Sequence, residues 1–148
     1  MYRRVLIPLD GSRAAEGVLP FIMQIAGPLD LDVVLLRVLE PIPPMAIEGT
    51  REVRLENVEE RTAEAHAYLR PLADELAKRG ARVQTVVRRG AQVADEIHAA
   101  VKEAGADLVA MSTHGREGLS RILFGSVAES VLRHSDVPVF LMRQAGAR

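Results

Sequence analysis

Asp107-Leu108-Val109-Ala110-Met111, then Ser112-Thr113-His114-Gly115-Arg116-Glu117-Gly118, then, after six further residues, Gly125-Ser126 and Val127 to Leu132: this run decides the fold. Its first five residues form a short apolar stretch of the kind that a parallel sheet buries on both faces. Glycines 115, 118 and 125 open a loop, and the residues from Val127 to Leu132 carry a helical period. Strand, glycine-rich loop and helix N-terminus in that order are how α/β proteins hold phosphates. Free main-chain amides and the positive end of the helix dipole meet the anion there.

Upstream of this run, short apolar stretches alternate with longer ones of helical period, with no internal repeat and no low-complexity segment, which is the pattern of an α/β fold with a parallel sheet. Strand one reads as Arg4 to Leu9. After Asp10-Gly11-Ser12, the stripe Ala15, Val18, Leu19, Ile22 and Ile25 predicts helix one, stopped by Gly27-Pro28. Leu31 to Val38 predicts strand two, and Pro41, Pro43 and Pro44 enforce a loop. Apolar residues at three- and four-residue steps predict a long helix from about Arg51 to Lys78, with Gly80 as its stop and Pro71 expected to kink or break it. Arg82 to Arg88 reads as strand three, Val93 to Ala104 as helix three closed by Gly105, and Asp107 to Met111 as strand four. Ser126 reads as the N-cap of helix four, with Glu129 completing a capping box. The last strand spans Val137 to Met142. Pro138 puts it at an edge, because proline cannot donate to a ladder. So apolar an edge needs a cover, and a second copy of the chain is the expected one.

At 148 residues the chain has the length of one domain, here residues 1–148. The formal net charge of −1 gives nucleic-acid binding no support. The absence of cysteine excludes disulfides, thiolate catalysis and cysteine zinc sites, and agrees with a cytoplasmic location. The apolar run behind Tyr2-Arg3-Arg4 is too short for a signal segment, and no stretch is expected to span a membrane.

Strands one and four bring Asp10 and the Gly115 loop towards the crevice where the winding of an open sheet reverses. Gly115 and Gly118 let main chain approach a phosphate, and Gly125-Ser126 presents amides and a hydroxyl. Asp10 is suited to a ribose hydroxyl or to a divalent cation that neutralises phosphate charge. An adenine fits between aliphatic walls such as Val38 and Met111. Each motif also has a local reading: Asp10-Gly11-Ser12 as a turn with Ser12 capping helix one, Ser126 with Glu129 as a cap, and the glycines as turn residues. His114 has no second ligand at metal spacing, and His66, His98 and His134 read as solvated or locally bonded. Arg88-Arg89 reads as surface charge, while Arg116 and Arg121 flank the phosphate loop, with Glu117 opposing them. The chain has no GxxxxGK[ST] motif, and no GxGxxG follows strand one. The acidic pair and the lysine of a phosphoacceptor receiver are also missing.

The chain resembles the universal stress protein family. Val5-Leu6-Ile7-Pro8-Leu9-Asp10-Gly11-Ser12 is similar to its opening strand and loop, and Gly105 to Gly115 to its fourth strand. The pattern G-x2-G-x6-G-[ST] falls on Gly115, Gly118, Gly125 and Ser126, followed by Val127 to Leu132 and Val137-Pro138-Val139. The resemblance implies a Rossmann-like open five-stranded parallel sheet, order 3-2-1-4-5, with helices on both faces and dimers formed through the last strand. It implies ATP as ligand, with Mg²⁺ or Mn²⁺. The adenine would lie at Val38, Asp10 near ribose and metal, Gly115 on the ribose side, and Gly118, Gly125, Ser126 and Val127 on the phosphates. Pro8, Leu9 and Ser12 beside Asp10, Met111 on the base, and Arg116 beside Gly115 complete the expected set. Glu117 is a local feature that weakens phosphate binding.

No residue reads as a water-positioning group or as a strong cation for hydrolysis. The first hypothesis is an ATP-binding regulatory module, a homodimer whose conformation or choice of an unidentified protein partner follows the nucleotide. The others are a slow ATPase or other phosphoryl-transfer enzyme using the same pocket and a nucleotide-free dimeric scaffold.

Overall fold

The computed structural model describes residues 1–113 and 125–143. Its main sheet has five parallel strands: β1 (Arg4–Leu9), β2 (Asp32–Leu39), β5 (Arg82–Arg89), β6 (Leu108–Thr113) and β7 (Val139–Arg143). Their order is β5-β2-β1-β6-β7, the 3-2-1-4-5 winding expected when only the sheet strands are counted. The pair β3 (Met45–Ala46) and β4 (Val53–Arg54) forms a small antiparallel hairpin outside that sheet. A single 3₁₀ turn, Ala15–Val18, leads into α1 (Leu19–Ile25), and α2 (Val58–Lys78), α3 (Val93–Ala104) and α4 (Ser126–His134) follow.

Alternation along the strands divides the apolar side chains between two cores. Val5, Ile7 and Leu9 of β1 pack with Val33 and Leu35 against Leu19 and Ile22 of α1 and Leu69 and Leu76 of α2. Leu6, with Val34, Leu36 and Val38, packs against Ile97 and Val101 of α3 and Ala128 and Val131 of α4. This double coverage is why strands one and two read as nearly continuous apolar runs.

Three expectations need correction. Helix α2 starts at Val58, seven residues later than its apolar spacing suggested. Residues 45–54 pair as the β3–β4 hairpin, Leu55 is 70% exposed, and the Asn57 side chain accepts from the Glu60 amide at 3.0 Å as the true N-cap. Pro71 does not break the helix, which runs through it for 21 residues, with Leu69 and Leu76 buried on either side of the proline. Packing of that face against the sheet offsets the lost hydrogen bond. Finally, the cap of α4 is Gly125, not Ser126. Gly125 is extended (φ −60°, ψ 152°), Ser126 is already helical, and among the described residues no side chain caps the helix. Glu129 pairs instead with Arg133 at 2.7 Å, one turn on.

The stops are where the glycines put them. Gly80 (φ +91°) follows α2, and Gly105 (φ +64°, ψ 35°) ends α3 in the left-handed conformation that a side chain disfavours. At the edge, β7 pairs with β6 alone in the sheet order, and Pro138 stands just before it, its carbonyl accepting from Val109 at 3.0 Å. No helix among the described residues is long and apolar enough to cross a membrane.

Candidate functional site

Strand β1 lies between β2 and β6, so the chain winds to one side of it through β2 and β5 and then returns to the other through β6 and β7. Beyond the C-terminal ends of these strands, helices on opposite faces diverge and leave a crevice. A cleft of about 270 Å³ occupies that place. Strand β1 contributes Pro8 and Leu9, followed by Asp10. The end of β2 contributes Arg37 and Val38, with Glu40 just beyond, and β6 contributes Met111, Ser112 and Thr113. Gly125, Ser126, Val127 and Ala128 close it at the start of α4, and Val93 and Ile97 wall it from α3.

Of the expected site residues, the fold therefore gathers Pro8, Leu9, Asp10, Val38, Met111, Gly125, Ser126 and Val127 on one cleft. Ser12 is not among its lining residues. Its amide and hydroxyl both donate to the Asp10 Oδ1, at 2.9 and 2.5 Å, and its hydroxyl accepts from the Ala15 amide at 3.1 Å. Ser12 thus completes the turn and starts the first helical segment, as its local reading had it, and this bond fixes the Asp10 carboxylate at the mouth of β1. Gly115, Arg116 and Gly118, with His114, Glu117 and Arg121, lie outside the described residues.

Sequence reasoning missed Arg37, Glu40, Ser112 and Thr113 in the cleft wall. Arg37 carried a signal, being the one charged residue within the run Leu31 to Val38 apart from Asp32 at its start. Its Nη1 donates to the carbonyl of Val38 at 2.8 Å. The Ser112 hydroxyl donates to the Ala14 carbonyl and ties the cleft floor to the first helical turn. Thr113 is buried, 4% exposed, at the end of β6.

Charged side chains fasten the segment that follows β2. Glu56 accepts from Arg89 at 2.7 Å, from Arg61 and from the Ile42 amide at 3.2 Å. The Arg89 guanidinium, before the others, holds its carboxyl well below the usual range, at about 2. Arg61 also donates to the Glu40 carbonyl at 2.8 Å, so the clasp reaches the cleft rim. Arg88 pairs with Glu96 at 2.7 Å and Glu103 at 2.6 Å. The pair Arg88-Arg89 is therefore engaged in ion pairs, not loose surface charge. On the α2 side, burial and the Glu16 carboxylate, 2.8 Å from its hydroxyl, push the Tyr68 phenol up.

The histidines divide. His134 Nδ1 lies 3.0 Å from the Ser130 carbonyl, the local bond expected. His98 departs from expectation, its Nε2 being buried with no hydrogen-bond partner. Among the described residues no three His, Asp or Glu side chains gather as a protein-built metal centre.

The sequence profile of the universal stress protein family matches residues 1–143. The universal stress protein MJ0531 of Methanocaldococcus jannaschii is 32% identical, over 97% of this chain and 84% of the relative. The solved structure of protein MJ0577, from the same organism, superposes with a TM-score of 0.75 at 28% identity and covers 99% of both chains. A universal stress protein solved in complex with cAMP superposes with a TM-score of 0.67 at 24% identity, over 97% of this chain and 98% of that one, and shares the fold. The profile match over nearly the whole chain, the strand order and the identity to MJ0531 agree: the chain belongs to the universal stress protein family.

Proposed function

We propose that the cleft binds an adenine nucleotide, ATP with Mg²⁺ or Mn²⁺, and that the chain is a nucleotide-dependent regulatory module of the stress response, acting in the cytoplasm as a homodimer. One observation carries this reading. The ends of β1, β2 and β6 and the N-terminus of α4 converge on one cleft that is apolar at Val38, Met111 and Ile97 and has Asp10 and the first residues of α4 around it. A nucleotide has that division of chemistry along its length.

In this reading the base lies against Val38 and Met111, with Pro8 and Leu9 beneath it. The phosphates lie at Gly125, Ser126 and Val127, where the first amides of α4 precede its first intrahelical bond, Glu129 to Gly125 at 3.0 Å. Gly115, Arg116 and Gly118 belong to the same phosphate subsite by their place in the sequence motif. Asp10 serves the ribose and the metal, and the metal would supply neutralisation of phosphate charge. The universal stress protein solved with cAMP is in keeping with this reading, and the assignment rests on this chain's own residues.

The dimer is proposed through β7. Phe140 on that strand stacks on Phe21 with ring centroids 4.9 Å apart, yet both rings remain 36% exposed. A second copy on this edge would cover both rings.

The test is to denature freshly purified protein, identify any released small molecule by mass spectrometry, and titrate ATP with Mg²⁺ into the stripped protein by calorimetry. Released or titratable ATP supports the reading. No released nucleotide together with no heat at millimolar ATP sinks it, and rapid phosphate release would replace the regulatory module with an ATPase.

A further inference from the structure

Arg37 donates to the Val38 carbonyl at the base end of the proposed nucleotide site. The ladder between β1 and β2 ends at the pair Leu9 and Arg37, and Val38 stands one residue beyond it. Successive residues of a parallel strand aim their amide and carbonyl alternately at the two neighbouring strands. The Leu39 carbonyl accepts from the Gly90 amide at 3.1 Å and so faces the β5 side. The Val38 carbonyl therefore faces the β1 side, where β1 has already stopped and the chain turns away at Asp10-Gly11. That gap is the cleft, which both Val38 and Asp10 line.

Into this gap Arg37 folds its guanidinium, donating from Nη1 to the Val38 carbonyl at 2.8 Å. A guanidinium carries five donors and no acceptor, and it holds its charge at every working pH. At this point the wall presents donors where bare main chain would present an acceptor. The base edge has a matching asymmetry. A 6-aminopurine offers an amine donor at C6, whereas a 6-oxopurine offers a carbonyl acceptor in the same place, of the kind arginine pairs with at guanine O6. The amine must share the Val38 carbonyl with Arg37 or displace it, while the oxo group accepts directly from Arg37. Buried polar groups left without partners are what makes a site reject the wrong isostere.

We infer that Arg37 sets the purine preference of the cleft and makes a 6-oxopurine nucleotide at least as good a ligand as its 6-amino counterpart. This rests on the nucleotide reading above and extends it to the base end. Arg37 is also within electrostatic reach of Tyr68, and Glu40 lines the same wall. Neither supplies a donor aimed at the Val38 carbonyl, and the selectivity resides in Arg37 itself.

The experiment compares ATP with inosine triphosphate, which exchanges the C6 amine for an oxo group and adds a proton at N1. Dissociation constants are measured by calorimetry with Mg²⁺ for the wild type, Arg37→Met and Arg37→Lys, each first checked by thermal melting. The wild type is expected to bind inosine triphosphate as tightly as ATP or more tightly. Arg37→Met, which keeps the aliphatic bulk and removes every donor, is expected to move the ratio about tenfold towards ATP, the worth of one charged hydrogen bond. If the Met variant does not melt cooperatively, Arg37→Lys decides, because one flexible ammonium cannot both hold the carbonyl and meet the base, and its ratio should move the same way. A wild type that prefers ATP by tenfold or more overturns the inference. So does a ratio that stays the same in the folded variant while both nucleotides still bind. If the wild type binds neither nucleotide at millimolar concentration, the nucleotide reading itself fails, and this inference with it.

Discussion

A single substitution at Gly125 is expected to raise stability and lower nucleotide affinity together. Gly125 caps α4 with an extended backbone (φ −60°, ψ 152°), and a Cβ built there meets nothing within 4 Å among the described residues. Gly125→Asp therefore has room and a permitted conformation, and its carboxylate can accept from the first helical amides. Replacing a glycine cap by aspartate contributes roughly a few tenths of a kcal/mol. The charge beside the helix dipole adds about 0.3–1 kcal/mol. For a chain of this size the sum corresponds to a rise of about 1–4 °C in Tm without nucleotide. With phosphates bound at the same amides, the sign reverses. Like charges about 6 Å apart at an effective dielectric near 20 repel by about 3 kcal/mol. Because Gly125 is exposed, water and salt screen much of this. About a tenfold loss of ATP affinity is the expected remainder. Gly125→Asn is the control, since it caps as well and carries no charge, and it should gain only the capping part of the rise in Tm and bind ATP close to wild type. Calorimetry with ATP and Mg²⁺ at two salt concentrations, paired with melting curves of the stripped proteins, reads both effects. If Gly125→Asp binds ATP like Gly125→Asn, the phosphates do not sit at α4.

Other consequences follow from the packing and the clasp. Leu69 is fully buried between α2 and the sheet, so Leu69→Ala should cost about 2–5 kcal/mol in denaturant unfolding, and a loss under about 1 kcal/mol would contradict the packing described. Glu56 has a carboxyl depressed from 4.5 to about 2, so the stability it contributes is complete above pH 4.5 and drains away as pH falls from there towards 2. Glu56→Gln should flatten that acid-side decline and speed proteolysis within residues 40–57, and identical pH profiles for the two proteins would refute the clasp. Phe140→Asp should convert a dimer into a monomer in size-exclusion chromatography with light scattering. A wild type that is monomeric at tens of micromolar would remove the β7 dimer.

The sheet was legible because its strands are buried on both faces, which leaves apolar runs that few other structures tolerate. Its order, by contrast, came with the family resemblance, since alternation alone does not say which strand neighbours which. The start of α2 was illegible for a definite reason. Leu55 and Val58 keep helical spacing with Thr62, but the backbone of residues 45–54 closes on itself as a hairpin, and Asn57 offers a better cap than anything upstream. Arg37 escaped attention because an arginine inside an apolar strand reads as a blemish until the neighbouring strand is seen to end beside it.

The displaced cap of α4 bears on function more than its one-residue shift suggests. Had Ser126 and Glu129 formed the capping box their spacing promised, the serine hydroxyl would have bonded a first-turn amide and the glutamate would have folded back over the helix start, placing a carboxylate where phosphate is proposed. In the fold, the cap is a residue with no side chain to donate or accept, Ser126 stands inside the helix, and Glu129 turns to Arg133 instead. The N-terminus of α4 therefore borders the cleft without a carboxylate of its own first turn folded over it, Glu129 being drawn to Arg133. A helix end capped by glycine where serine was at hand leaves its main chain open to close approach, which suits the proposed phosphate site.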